Sequence, residues 1–233
     1  MRTAIIIAGG SGKRMQQDIP KQFLSVNGKP ILIYTVESFQ NHPLIDQVLL
    51  VVKNGWEDLV WRYVDQYKLT KVKWVIAGGK IGQESINNGV QFLKDKISGK
   101  DTVVIHDGIR PIVDDYVLSD VVLTAEEKSN AVSALPYNEQ IFLKDDDEST
   151  SNYIDRNTIM RVMTPQAYRF DLLVDGYGKA LADNVGMTDS SYTNTMMVEL
   201  GYKLYFALGS EKNIKITRPD DLLIFKALLE LGD

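Results

Sequence analysis

The chain contains no cysteine, which excludes a disulfide framework, thiolate metal sites and a cysteine nucleophile, and fits a reducing compartment. Histidine is nearly as scarce, with two in 233 residues, and no plausible Ser-His or Cys-His pairing for nucleophilic catalysis stands out. No apolar run approaches the ~18 residues of a membrane span, and the amino-terminal one, behind the single basic Arg2, reaches glycines too soon for a signal sequence. A cytoplasmic setting away from membranes is expected. Excess positive charge is also missing: the net charge of −5 gives no pull toward nucleic acid, so any basic cluster is a local feature in an acidic background. There is no internal repeat, and the only biased tract is the acidic Lys144 to Glu148. A chain of this length buries a sizeable core as one domain, expected over residues 1–233.

What is present is concentrated near the amino terminus. Ile5-Ile6-Ile7-Ala8 is an uncharged β-branched run, the pattern of a strand buried on both faces. Gly9, Gly10 and Gly12 then free the backbone of Cβ clashes, so that N–H groups from Ala8 to Gly12, with Ser11 among them, can converge on an anion. Lys13, Arg14 and Lys21 supply positive charge in or just after the loop, as a reacting phosphate requires. A Walker A loop is excluded, because Gly12-Lys13 is followed by Arg14 instead of Ser or Thr and Ile7 stands at the first glycine. A dinucleotide fingerprint is weak, since Met15 occupies its third glycine position.

Strand and helix patterns then alternate. Gln47 to Val52 and Val72 to Ile76 read as strands. Trp56, Leu59, Val60, Tyr63, Val64 and Tyr67 form one packed helical face, an aromatic stripe typical of core. The second of these strands runs into Gly78-Gly79-Lys80-Ile81-Gly82 and a helix packed through Ile86, Val90 and Leu93. Strand, glycine loop and helix thus recur, and two such loops can meet at the carboxyl edge of a parallel sheet, where open α/β folds bind ligands. A third strand, Thr102 to Ile105, ends in His106-Asp107, placing a carboxylate at that edge, suited to a divalent cation or a substrate hydroxyl. Arg110, three residues on, suits either an ion pair with Asp107 or bidentate phosphate binding. His106 reads as a packed strand-end residue, and His42, beside Pro43, as a surface one.

Beyond Pro136 the character changes. Glu139 to Leu143, an acidic turn, and Asn152 to Arg156 read as a two-stranded arm over about 138–158, and a lone hairpin needs something to lie against. Thr164-Pro165-Gln166 reads as a turn on residue pattern alone. Lys203 to Ala207 is expected as a late strand, and Glu211 to Thr217 as another, on which Asn213 and Lys215 share a face. Lys215 can then return to the site opened by Lys21.

Six of these segments, in this order, resemble the cytidylyltransferases that activate polyol phosphates, the 2-C-methyl-D-erythritol 4-phosphate and ribitol 5-phosphate enzymes. The resemblance spans nearly the whole chain: the first glycine loop with Arg14 and Lys21, Gly-Gly followed by Ser85, His-Asp-x-x-Arg-Pro at 106–111, Arg156 with Thr164-Pro165-Gln166, Thr188-Asp189, and Asn213-Ile-Lys-Ile-Thr217. It implies an α/β fold, a Rossmann-like, mostly parallel sheet flanked by helices, with a protruding β-arm that reaches a second subunit in a homodimer. It further implies that a phosphate oxygen of a polyol phosphate attacks the α-phosphorus of CTP and expels pyrophosphate, with Mg2+ bridging the phosphates. Arg14, Lys21 and Lys215 are the expected catalytic cations. Ala8, Gly9, Gly10, Ser11 and Gly12 would cradle CTP, and Gly79, Lys80 and Ser85 would face its base and ribose. Asp107, Arg110, Arg156, Thr164 and Thr188 would hold the acceptor, with Asp107 also a candidate metal ligand.

The sequence departs from the family at three positions. Gly82 stands where an arginine is usual, Gln140 where the erythritol-phosphate enzymes have threonine, and Ser191-Tyr192 falls at the ungapped place of the Thr-Asp pair, in competition with Thr188. The first-choice acceptor is 2-C-methyl-D-erythritol 4-phosphate, for isoprenoid precursor synthesis, with ribitol 5-phosphate or glycerol phosphate, for wall or capsule polymers, as the alternative. A sugar 1-phosphate nucleotidyltransferase and a non-catalytic nucleotide-binding relative are the remaining readings.

Overall fold

In the computed structural model, which describes residues 1–10, 19–188 and 192–231, the chain builds a seven-stranded sheet with helices on both faces. Its elements in order begin with β1 (Arg2–Ala8), a single 3-10 turn (Lys21–Phe23), the two-residue strands β2 (Ser25–Val26) and β3 (Lys29–Pro30), and α1 (Ile31–Asn41). They continue with β4 (Gln47–Val52), α2 (Glu57–Gln66), β5 (Val72–Ala77), α3 (Gly82–Leu93), β6 (Thr102–Asp107), α4 (Asp115–Lys128) and β7 (Asn130–Pro136). The last third holds the arm, β8 (Ile141–Leu143) and β9 (Asn152–Ile154), then β10 (Met160–Arg169), α5 (Phe170–Asp183), α6 (Thr193–Glu199), β11 (Phe206–Leu208) and α7 (Pro219–Leu231).

The strand order is β11-β7-β10-β6-β1-β4-β5. β1 lies parallel between β4 and β6, and only β10, paired with β6 and β7, runs antiparallel to its neighbours. Alternation along the central strands divides the core. Ala4, Ile6, Val48 and Leu50 pack against Leu32, Val36, Phe39, Val60 and Val121 on one side. Ile5, Leu49, Val51 and Ile105 face Val90, Leu93, Leu173, Tyr177 and Met197 on the other. A strand covered on both faces favours apolar side chains at successive positions, which is why β1 reads as an apolar run from Ala4 to Ala8. A smaller cluster, Val26, Ile31, Ile216 and Phe225, fastens α7 to the start of α1.

Three segments differ from their sequence-based expectation. Thr164-Pro165-Gln166 is no turn: it lies inside β10, at a register shift between Met163 and Gln166 that accommodates the residue without an N–H. The segment 211–217 is no strand, because it crosses the carboxyl ends of the strands instead of lying beside one; Ile216 N–H to the Ile109 carbonyl, 2.9 Å, ties it there. His42 is buried, with Nε2 3.1 Å from both the Asp115 carbonyl and Ser119 Oγ, so it joins α1 to α4 and is not a surface residue. The arm is present as expected, with β8 and β9 antiparallel and Phe142 and Tyr153 more than half exposed.

Candidate active site

The first parallel pair sets the site. Ile7 on β1 is in register with Asp107 on β6, so the glycine loop and the carboxylate leave the sheet side by side. Gly108 N–H donates to the Ile7 carbonyl at 2.8 Å and keeps the two exits together. A cavity of about 260 Å³ opens there, lined among others by Ala8, Gly10, Lys21, Asp107, Thr164 and Lys215. A second of about 220 Å³ adjoins it, sharing Asp107, Thr164, Gln166, Tyr192 and Lys215 and adding Arg110.

Lys21 reaches this place because its short turn is anchored. The Phe23 ring stacks on Trp56 at 4.6 Å, and the neighbouring Gln22, fully buried, donates from Nε2 to the carbonyls of Ala8 (2.6 Å) and Gly10 (3.0 Å). One side-chain amide therefore holds the loop's start against the segment that presents Lys21.

On the opposite wall, Asp107 Oδ2 accepts from both Lys215 Nζ and Arg110 Nε, each at 3.1 Å. Burial pushes the Asp107 carboxyl up, but attraction by Lys215 and then Arg110 outweighs it and holds the group well below the usual carboxylate range. The ammonium of Lys215 also lies 5.4 Å from the centre of the Tyr192 ring. Thr164 Oγ1 accepts from the Asp107 N–H at 3.2 Å, placing β10 beside the carboxylate. Gln166 is oriented by Tyr168, whose buried hydroxyl donates to Oε1 at 2.7 Å.

Beneath this group, His106 Nε2 lies 3.1 Å from the Arg110 carbonyl, which can only accept, so Nε2 carries the proton and Nδ1 does not. Nδ1 is buried and has no partner among the described residues. Burial pushes the imidazole down to about 4, with Arg110 and Lys215 opposing a further positive charge. A base whose folded pKa lies below its unfolded value near 6.5 is neutral in the native state, so the unfolded chain takes up more protons between those values. Stability is expected to be complete above pH 6.5 and to fall by about 3 kcal/mol on the way to pH 4. Urea unfolding across that range checks this; a flat profile contradicts it.

A family model described as 2-C-methyl-D-erythritol 4-phosphate cytidylyltransferase matches residues 2–231. The chain belongs to this family. It is 61% identical over 229 residues to the ribitol-5-phosphate cytidylyltransferase of Lacticaseibacillus paracasei, covering 98% of each chain. It is also 38% identical over 228 residues to the 2-C-methyl-D-erythritol 4-phosphate cytidylyltransferase of Syntrophus aciditrophicus, covering 97% of this chain and 95% of that one. Among solved structures, 4-diphosphocytidyl-2C-methyl-D-erythritol synthase from Anaerococcus prevotii shares the fold, with a TM-score of 0.82 and 23% identity over 99% of this chain and 96% of that one. The chain is accordingly an enzyme, a polyol phosphate cytidylyltransferase of the nucleotidyltransferase class.

Within this cytidylyltransferase fold, the second glycine loop abuts the first. A Cβ on Gly9 would stand 3.1 Å from Ser85 Oγ, and one on Gly78 would stand 2.8 Å from the same atom and 3.2 Å from the Val52 carbonyl. Ser85 is buried beneath both loops, where its hydroxyl accepts from the Gly79 N–H and donates to the Ile81 carbonyl, each at 3.0 Å. Its hydroxyl thereby supports the loop whose residues the sequence reading turns toward base and ribose. Gly79 is irreplaceable sterically, since a Cβ there would lie 2.3 Å from that of Glu84. Lys80 is exposed, with its N–H on Glu84 Oε2 at 2.7 Å, and Gly82 lines the larger cavity.

The structure thus gathers Ala8, Gly10, Lys21, Asp107, Arg110, Thr164 and Lys215 at the two adjoining cavities. Ser11, Gly12 and Arg14 lie outside the described residues, as does Ser191, the rival of Thr188. Thr188 itself is exposed. Arg156 is not in the cavity walls: it stands at the base of the arm and donates to the Asn138 carbonyl at 3.1 Å. Gln22 was not singled out by sequence reasoning, because an uncharged amide carries no chemical signature until its partners are known, whereas Gln166 entered through its Thr-Pro-Gln motif.

Proposed function

We propose that this chain transfers the cytidylyl group of CTP to ribitol 5-phosphate. The observation that carries this acceptor is the 61% identity, end to end, to a ribitol-5-phosphate cytidylyltransferase, against 38% to the methylerythritol phosphate enzyme. The first choice made from sequence motifs, methylerythritol phosphate, gives way to the alternative.

In the proposed reaction a phosphate oxygen of ribitol 5-phosphate forms a bond to the α-phosphorus of CTP. The bond from that phosphorus to the bridging oxygen breaks, and pyrophosphate leaves with the electron pair. A phosphate monoester is already nucleophilic, so the site needs position and positive charge more than a base. Lys21 and Lys215 stand in one cavity wall set, where charge on the pentacoordinate phosphorus and the departing pyrophosphate would be neutralised. The glycine loops offer main-chain N–H groups to the triphosphate.

Magnesium would bind at the same place in this reading. Among the described residues no trio of His, Asp and Glu side chains converges, and the carboxylate lining the cavity is the ionised Asp107. One carboxylate plus phosphate oxygens suits an ion that keeps its remaining waters. When bound there it would neutralise phosphate charge.

A second copy of the chain is the proposed partner of the arm. Phe142 and Tyr153 expose their rings on it, and Arg156 at its base lines neither of the two adjoining cavities of its own chain, which supports a place for it in a neighbour's acceptor pocket. Among the described residues no helix is long and apolar enough to cross a membrane.

Pyrophosphate release tests the acceptor. With CTP and magnesium, ribitol 5-phosphate is expected to exceed methylerythritol 4-phosphate and glycerol 3-phosphate by at least about 100-fold in kcat/KM, the discrimination possible when hydroxyl partners are left unpaired. A preference for methylerythritol phosphate would overturn it.

A further inference from the structure

The residues between β11 and α7 form no strand, yet they deliver Lys215 to the carboxylate. A segment without a sheet ladder keeps its place through apolar packing, here of Ile216, and through individual ties, two of which run through one residue, Asn213. Its side chain is buried, and Nδ2 donates to the Thr164 carbonyl at 2.6 Å. Its own carbonyl accepts from Arg110 Nη1 at 2.7 Å, and its N–H donates to the Ser210 carbonyl at 3.2 Å. Asn213 therefore touches the strand that carries Thr164 and the guanidinium of Arg110, and stands two residues from Lys215.

The chemistry of the amide decides its orientation. The Thr164 carbonyl can only accept, so the NH2 end must face it, and Oδ1 is turned into the interior, where it has no partner among the described residues. An orphaned buried acceptor costs about as much as one hydrogen bond supplies, so this side chain contributes little to net stability. What it does supply is geometry, because the amide fixes the distance between the Lys215 segment and β10.

We infer that Asn213 is a positioning residue of the transfer reaction, setting Arg110, Thr164 and Lys215 in register around the acceptor phosphate. The inference rests on the polyol phosphate reading and extends it to a residue that touches no substrate. It separates placement from folding. In Asn213→Asp a carboxylate oxygen faces the Thr164 carbonyl, two acceptors repel and the tie opens with almost no change of volume. In Asn213→Leu both the tie and the orphaned oxygen disappear.

Steady-state kinetics on the full-length chain, using whichever polyol phosphate the parent turns over, tests it. Both variants are expected to lower kcat/KM for the acceptor by about 30-fold or more, while KM for CTP stays within about twofold, in the range of effects known for misplaced catalytic groups. The melting temperature of Asn213→Leu is expected to stay within a few degrees of the parent, and that of Asn213→Asp to fall further because its buried carboxylate is unpaired. Acceptor kcat/KM within threefold of the parent in both variants overturns the inference. So does a rise in KM for CTP as large as the loss in acceptor kcat/KM, or failure of both variants to fold, since either marks a structural role. A parent chain inactive with ribitol 5-phosphate but active with another polyol phosphate removes the acceptor assignment and leaves this one standing.

Discussion

Lys215→Ala is expected to lower turnover by about 100- to 1,000-fold with CTP, magnesium and ribitol 5-phosphate, which corresponds to about 3–4 kcal/mol of transition-state stabilisation, as for a lost oxyanion donor. The ammonium is held by the Asp107 carboxylate at 3.1 Å on one side and the Tyr192 ring on the other, and in the proposed reaction it faces the growing negative charge. A group fixed in place before the reaction costs no reorganisation during it, so its removal falls mainly on kcat. CTP affinity, measured by calorimetry, should change by less than about tenfold, because in the proposed mode the triphosphate is held by main-chain N–H groups of the glycine loops. Turnover within threefold of the parent would remove Lys215 from the mechanism.

Asp107→Asn is expected to have the next largest effect, about 10- to 100-fold in kcat/KM for the acceptor, given 1.5–3 kcal/mol for a hydrogen bond to a charged group. The variant keeps the shape of the side chain and removes the charge that gathers Lys215 and Arg110 on one oxygen. Two cations then repel each other without an anion between them. A pH-dependent signature accompanies this. Because the carboxyl is held below its unfolded value, its contribution to stability is present above about pH 4 and is lost as the pH falls further. The stability difference between parent and variant should therefore shrink in strong acid. A constant difference in urea unfolding from pH 7 to pH 3 would contradict that coupling.

Much of this site was legible in the chain before any coordinates. The apolar run of β1, the glycines after it and the His-Asp ending of β6 have local signatures, since strand periodicity and glycine freedom act over a few residues. From them the meeting of Lys21 with Asp107 follows, because parallel strands carry their carboxyl ends to one edge. Lys215 was placed correctly for an imperfect reason. Its segment is not a strand, and its side chain reaches Asp107 through ties made by Asn213 and Ile216 to residues about 50 and 100 positions away.

The illegible part is of that long-range kind. Tyr192 comes to the cavity because α6 begins beside a buried network in which Tyr177 donates to Gln83 Oε1 at 3.1 Å and lies 2.9 Å from Thr193 Oγ1, while Gln83 Nε2 donates to the Gly186 carbonyl at 3.0 Å. No periodicity announces such a network. Ser85 is similar: its motif position was clear, but only the close approach of Gly9 and Gly78 turns its hydroxyl inward. His42 was misplaced because a histidine beside a proline resembles a surface turn until α4 is packed over it.

The central claim is that cations from the two ends of the chain act on one reacting phosphate. A double-mutant cycle of Lys21→Ala and Lys215→Ala, read as kcat with CTP and ribitol 5-phosphate, tests it most directly. Two groups that share a transition state couple, so the double variant is expected to fall short of the product of the single losses by about tenfold or more. Losses that multiply in full would mean that the two lysines work independently, and that a single shared pocket is not where the chemistry occurs.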